Sequence, residues 1–208
     1  MTSYWNSTTA GSGYADDYHM SHHSKQNNTV SSDFLKSLDT DTKTLVYSFN
    51  KIIEIGCGTG EFLKLLDQHT NPNCKKIGCD ISELAINYAN QHYSNENIKY
   101  KVADLLQNED SDMKNCDLVI CSNTLEHFKN PYALIEKFKE YGKYCLILVP
   151  FNQNPMTDGY SEEGGAGHVF KFVDDSFKNY NVIKEYKFYT SGWTCGINPM
   201  QWAIIIKF

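Results

Sequence analysis

From Lys51 onward, apolar and polar positions follow a repeating rhythm. Short runs of Ile, Val, Leu and Cys alternate with stretches whose apolar residues recur every three or four positions. The first kind reads as strand and the second as helix. The pattern predicts strands at 51–55, 76–80, 98–102, 116–122 and 144–149, with helices at about 60–68, 82–92 and 131–141. Ser82 is placed to cap the second helix, and Asn130-Pro131 opens the third with a capping side chain and a proline at the first helical position. The strands are apolar on both faces, as in a parallel sheet covered by helices. Alternation of this kind gives a doubly wound α/β domain with right-handed crossovers.

Both ends of the chain depart from this rhythm. Val182 to Tyr189 and Gln201 to Phe208 read as two strands joined by a connection without helical pattern. They predict an antiparallel pair at the sheet edge, which makes seven mostly parallel strands in all. Residues 1 to about 30 are polar but carry Tyr4, Trp5, Tyr14 and Tyr18. Disordered leaders are poor in aromatics, so this segment is expected to be an ordered lid over the ligand edge. Ser32–Leu38 and Asp41–Phe49 are expected to be helices. The domain reading is an N-terminal lid with helices over 1–45 and a catalytic domain over 46–208.

Composition narrows the class. The chain has 208 residues, which fits one domain of ordinary size, and 41% of them are hydrophobic. Its longest apolar runs, such as Cys145-Leu146-Ile147-Leu148-Val149, are far short of the ~20 residues that cross a bilayer. The start of the chain has neither a basic patch nor an apolar run, so no signal peptide is expected. Seven cysteines, an odd number with no Cys-x-x-Cys pair, argue against zinc ligation and disulfides and for a reducing cytoplasm. The formal charge is −6, and all 19 basic residues are Lys. Without Arg, the preferred side chain for bidentate phosphate contacts, an acidic domain is poorly equipped to grip a polyanion. The expected partner is a small molecule, with neither nucleic acid nor membrane. Oligomeric state stays open.

Chemistry concentrates where strands run into helices. Lys51-Ile52-Ile53-Glu54-Ile55 leads into Gly56-Cys57-Gly58-Thr59-Gly60. Glycines permit a sharp turn and a close approach of backbone to ligand. That is how a nucleotide-type cofactor is seated at the first strand-to-helix corner of an open sheet. Asp80 closes the next strand, twenty residues after Gly60. It could accept from both hydroxyls of a ribose, or serve only as a turn or capping residue. Asp104 follows the third strand; it could accept from an adenine amine, or cap the turn. The fourth strand opens into Ser122-Asn123-Thr124-Leu125-Glu126-His127-Phe128. Such sheets bind ligands outside the carboxyl ends of their strands, so this Asn, Glu and His cluster is placed to meet a substrate.

Taken together, Glu54-Ile55-Gly56-Cys57-Gly58-Thr59-Gly60, Gly78-Cys79-Asp80-Ile81-Ser82, Ala103-Asp104-Leu105 and Asn123-Thr124-Leu125-Glu126-His127-Phe128 resemble the class I S-adenosylmethionine-dependent methyltransferases. The likeness covers roughly residues 45 to 150. It implies that Glu54, Gly56, Cys57 and Gly58 carry the methionine moiety, with Gly60 also part of the cofactor site. By the same resemblance, Asp80 holds the ribose with Ile81 against adenine, Asp104 and Leu105 read the adenine, and Asn123 lines the sulfonium side. A nicotinamide dehydrogenase is the rival for the glycine turn. Its third glycine would normally come one residue later, and 208 residues leave little room for its substrate domain.

After strand five, a polar stretch runs to about residue 172. Its Pro150-Phe151-Asn152 start and its His168-Val169-Phe170-Lys171-Phe172 end resemble small-molecule methyltransferases, including many that act on sugars of capsules and surface glycans. Methyl transfer to oxygen needs alignment and removal of one proton. His suits that task, and the candidates are His168, preferred because flexible glycines precede it, and His127. Asp16, Asp17, His19, His22 and His23 could gather a divalent ion, but are read as a solvated or cofactor-covering segment, so no metal is expected. The alternatives to O-methylation of a sugar or glycan precursor are N-methylation of a small amine or phosphoramidate-type group, RNA or protein methylation, and a non-catalytic cofactor-binding subunit.

Overall fold

The computed structural model describes residues 23–104, 111–153, 168, 170–191 and 200–208, and of 23–27 only the backbone. Seven strands form one sheet: β1 (Lys51–Ile55), β2 (Lys75–Asp80), β3 (Ile98–Val102), β4 (Cys116–Ser122), β5 (Gly142–Pro150), β6 (Val182–Tyr189) and β7 (Met200–Lys207). Their spatial order is β3-β2-β1-β4-β5-β7-β6. The first five run parallel, and β7 pairs antiparallel with both β5 and β6. This is the sheet expected from the sequence, hairpin included. Strand order reverses between β1 and β4, so the corners following these two strands flank one crevice.

The helices are α1 (His23–Ser37), α2 (Thr40–Tyr47), α3 (Glu61–Leu66), α4 (Glu83–Tyr93) and α5 (Pro131–Phe138). Ser82 accepts from the Ala85 amide at 3.1 Å and Asn130 from the Ala133 amide at 3.3 Å, so both anticipated caps form. Helix α1 begins well before Ser32. Its sequence there, with Asn27 and Asn28, has weak intrinsic propensity. Its buried residues Val30, Phe34 and Leu35 anchor one face. Once a turn is fixed, each further residue adds a hydrogen bond without a new nucleus.

Alternate residues of the central strands serve opposite faces. Ile52, Leu118, Ile120, Leu146 and Leu148 join Phe34, Phe62, Leu63 and Ile86 under α1, α3 and α4. Ile53, Val119, Cys121, Ile147 and Val149 join Leu134, Ile135 and Phe138 of α5. Each fully buried Ile or Leu contributes about 1.5–3 kcal/mol relative to exposure. Six cysteines (57, 74, 79, 116, 121 and 145) are buried and outside any disulfide, and burial pushes the thiols of Cys57, Cys74, Cys116, Cys121 and Cys145 up. They act as small apolar side chains. Cys195 and the aromatic residues of segment 1–22 lie outside the described residues, as does the Asp16 to His22 part of the N-terminal cluster. No helix among the described residues is long and apolar enough to cross a membrane.

Candidate active site at the carboxyl edge

The glycine turn is built for left-handed backbone. Gly56, Gly58 and Gly60 have φ of 72°, 50° and 88°, values that residues with a Cβ rarely adopt. Space forbids a side chain as well. A Cβ on Gly56 would lie 2.5 Å from Thr124 Oγ1, and one on Gly60 would lie 2.6 Å from the Tyr100 ring. Tyr100 donates its hydroxyl to the Gly60 carbonyl at 2.9 Å, bracing the turn from β3. The Gly56 and Cys57 amides both donate to the Cys79 carbonyl.

Asp80 sits where the sequence places it. Its Oδ2 accepts from the Gly58 amide at 2.9 Å and its Oδ1 from the Ser82 amide at 3.0 Å. The capping alternative is therefore realised, and a carboxylate fixed by two amides at the end of β2 is compatible with the ribose reading. Ile81 and Asp104 are half-buried beside it. Leu105 lies outside the described residues.

Glu54 is buried, and its Oε2 has no hydrogen-bond partner among the described residues. Burial raises its carboxyl well above the usual range, and the nearby charges of Glu61 and Asp80 add to this. Asn123 adopts a φ of 47°, and its Oδ1 is likewise without a hydrogen-bond partner. Two acceptors beside a glycine cradle suit a ligand that brings donors. The ammonium of an S-adenosylmethionine methionine moiety is such a donor, so these residues fit the cofactor that the resemblance implies.

The two histidines come together. Their ring centroids lie 4.9 Å apart at 78°. His168 is buried, its Nδ1 is 2.8 Å from Gln153 Oε1, and its Nε2 is 3.9 Å from Glu126 Oε1. Burial, followed by the proximity of His127, pushes the His168 imidazole down to about 3, whereas burial pushes the Glu126 carboxyl up to about 8. His127 is half-buried.

Glu126 belongs to the Asn, Glu and His cluster that the sequence places at this edge. Three further residues here, Thr124, Tyr100 and Gln153, carry no such signal, because their roles are to brace other groups across the fold.

A family profile described as a methyltransferase domain matches residues 48–159, more than half of the chain. The chain belongs to this methyltransferase family. A juvenile hormone acid O-methyltransferase from Bombyx mori is 26% identical over 181 residues, 78% of this chain and 63% of the relative. A ubiquinone biosynthesis O-methyltransferase from Coxiella burnetii is 27% identical over 135 residues, 62% of this chain and 55% of the relative. The chain spans about half the length of the curated relatives it matches. Among solved structures, the plantazolicin methyltransferase bound to S-adenosylhomocysteine superposes with a TM-score of 0.63 at 17% identity, covering 94% of this chain and 95% of that one. A putative methyltransferase in complex with the Haloferax volcanii Trm112 activator gives 0.65 at 10%, covering 93% and 96%. These likenesses are of fold.

Proposed function

We propose that this protein is an S-adenosylmethionine-dependent O-methyltransferase acting on a small polar acceptor, a sugar or glycan precursor. The observation that carries the reading is the pairing of two half-sites across the crevice between β1 and β4. One side offers the glycine turn, Glu54 and Asp80. The other offers Asn123, His127 and His168.

Methyl transfer from a sulfonium is an in-line displacement, so the chain's tasks are alignment and removal of the acceptor proton. The Asn123 turn lies against Gly56 through Thr124, which sets the acceptor side next to the cofactor side. The acceptor oxygen sits against His127 and His168, and this pair handles its proton. Asn152 donates to the Phe172 carbonyl at 2.8 Å, and Phe170 donates to the Glu126 carbonyl at 3.0 Å. These bonds pin both ends of the polar segment at the edge where an acceptor would enter.

Oxygen is favoured over nitrogen by the turn sequence Ser122-Asn123-Thr124-Leu125, which lacks the Asn-Pro-Pro-Tyr pattern of base and glutamine amine methylation. Several relatives are named as O-methyltransferases, of juvenile hormone acid, of a malonyl-acyl carrier protein and in ubiquinone biosynthesis. The sugar class rests on the short Pro150-Phe151-Asn152 and His168-to-Phe172 likenesses alone.

The test is methyl transfer from labelled S-adenosylmethionine to panels of nucleotide sugars, small carboxylic acids and amines, with S-adenosylhomocysteine binding followed by calorimetry. His168→Ala is expected to lower turnover ~10²-fold or more while homocysteine-product binding persists. Label transferred to amines alone, or no heat with either cofactor form, overturns the reading.

A further inference from the structure

Glu126, His127 and His168 form a cluster of metal-ligating type. One potential donor atom from each lies within 4.8 Å of the other two. Glu126 is 1% exposed, and both its carboxylate oxygens lack a hydrogen-bond partner among the described residues. A buried carboxylate so placed is costly unless a cation or donor meets it. Its approach to His168 Nε2, at 3.9 Å, is longer than a hydrogen bond.

The surroundings hold the donors in a ligating orientation. Gln153 Oε1 can only accept, so the 2.8 Å contact makes His168 Nδ1 the protonated nitrogen. That leaves the lone pair on Nε2, the atom that faces Glu126. An outer hydrogen bond of this kind is what fixes a metal-bound imidazole. Glu126 and His127 are held in a 3₁₀ turn, Leu125–His127, directly after β4. Phe170, two positions after His168, donates to the Glu126 carbonyl and so ties that turn to the segment bearing His168. A point equidistant from three donors at the 4.8 Å limit lies about 2.8 Å from each, against ~2.1 Å for a bonded zinc–imidazole pair. Side-chain movements of less than about 1 Å close the difference.

We propose that Glu126, His127 and His168 bind one divalent first-row transition cation of the Zn²⁺, Fe²⁺ or Mn²⁺ class. Two imidazoles and one carboxylate suit these ions better than Mg²⁺, which prefers oxygen ligands. Three protein donors leave coordination positions for water or substrate, as catalytic sites do. This deepens the methyltransferase reading and, for its catalytic role, rests on it: with the cation bound, His127 and His168 would act as ligands instead of taking the proton themselves, the acceptor hydroxyl would ligate the cation and lose its more acidic proton to solvent water, and its oxygen would take the methyl group as the sulfur bond breaks and its electron pair leaves with S-adenosylhomocysteine. It also reverses the expectation of a metal-free enzyme, at a different cluster from the N-terminal one.

The experiment uses the untagged full chain, freed of metal with a chelator and titrated with Co²⁺ while its visible ligand-field absorption is recorded. Saturation at one equivalent is expected, with Zn²⁺ displacing the signal. Glu126→Gln and His168→Gln should each weaken Co²⁺ binding by at least ~10²-fold. Gln153→Ala, which acts only through His168, should weaken it ~10-fold. A variant with His19, His22 and His23 replaced by Ala should keep the signal. The proposal is overturned if no Co²⁺ spectrum appears, if the Glu126 and His168 variants bind Co²⁺ like the parent, or if the triple histidine variant loses the signal. Calorimetry with S-adenosylhomocysteine on the metal-free protein and on each variant reports folding and separates the two ideas. Cofactor binding without Co²⁺ uptake removes the cation and leaves the methyltransferase. Co²⁺ uptake without cofactor binding removes the methyltransferase and leaves the cation site.

Discussion

The two ends of the parallel strands treat polar groups in opposite ways. At the amino edge the chain closes them on itself. Asp117 accepts from the Asn50 and Lys51 amides and pairs with Lys143 at 2.8 Å. Lys51 caps the Lys114 carbonyl, and Asn71 donates to the Tyr47 and Phe49 carbonyls. Buried Lys76 meets Asp67 at 2.7 Å and the Cys74 carbonyl at 3.0 Å. At the carboxyl edge, Glu54 Oε2, Asn123 Oδ1, both Glu126 oxygens and Gln153 Nε2 have no hydrogen-bond partner among the described residues. Among the described residues, three glycines, Asn123 and Asn152 hold positive φ there, against Asn115 at the amino edge. An unmet buried polar atom costs about 1–3 kcal/mol, and left-handed backbone adds strain. One edge is built for stability, and the other keeps donor and acceptor capacity for a ligand.

The sharpest way to break this contrast is Asp80→Ala. Losing the carboxylate should weaken S-adenosylhomocysteine binding by ~10²-fold, about 2.7 kcal/mol, measured by calorimetry. Unchanged affinity would show that Asp80 only fastens the Gly58 and Ser82 amides. Next comes Gly60→Ala, which meets both a φ of 88° and the Tyr100 ring. It should destabilise by about 1–3 kcal/mol and lower the Tm by roughly 3–10 °C. A Tm equal to the parent's would mean the turn relaxes freely.

The smallest effect is expected at the other edge. Asp117 has its carboxyl held below the usual range: partial burial works against this, but Lys143 and the two amides prevail. Because the folded value is depressed, the resulting stability is present above the unfolded carboxylate's pKa of about 4 and is lost as pH falls through the folded value. Asp117→Asn should remove about 1 kcal/mol at neutral pH, flatten the acid side of the stability profile, and leave cofactor affinity alone. A fall in cofactor affinity would blur the division between the edges.

What the sequence revealed follows the range over which each feature is encoded. Strands, caps and the glycine turn are local, and the periodicity of Ile52 to Ile55 or the Asn130-Pro131 start states them directly. The order of β7 before β6 at the sheet edge needs pairing between distant segments, although the hairpin itself was legible. Helix α1 was read too short because its early residues lean on the packing of Phe34 against Phe62 and Phe188 rather than on propensity. His127 and His168 were each visible. Their meeting with Glu126, through Gln153, depends on a return of the chain that no spacing records.

The placement of β7 bears on how the protein is made. It comes after β6 in the chain yet fills an interior slot, with seven register pairs to β5 and a largely buried face. During synthesis, β6 therefore has no neighbour in the sheet, and the flank of β5 stays open, until residues 200–207 emerge. Exposed strand flanks invite pairing with other chains. Premature termination just ahead of Met200 is thus expected to yield aggregates and chaperone-bound chains rather than a smaller folded domain, which makes pairing of β6 with β7 the step that commits the nascent polypeptide to solubility.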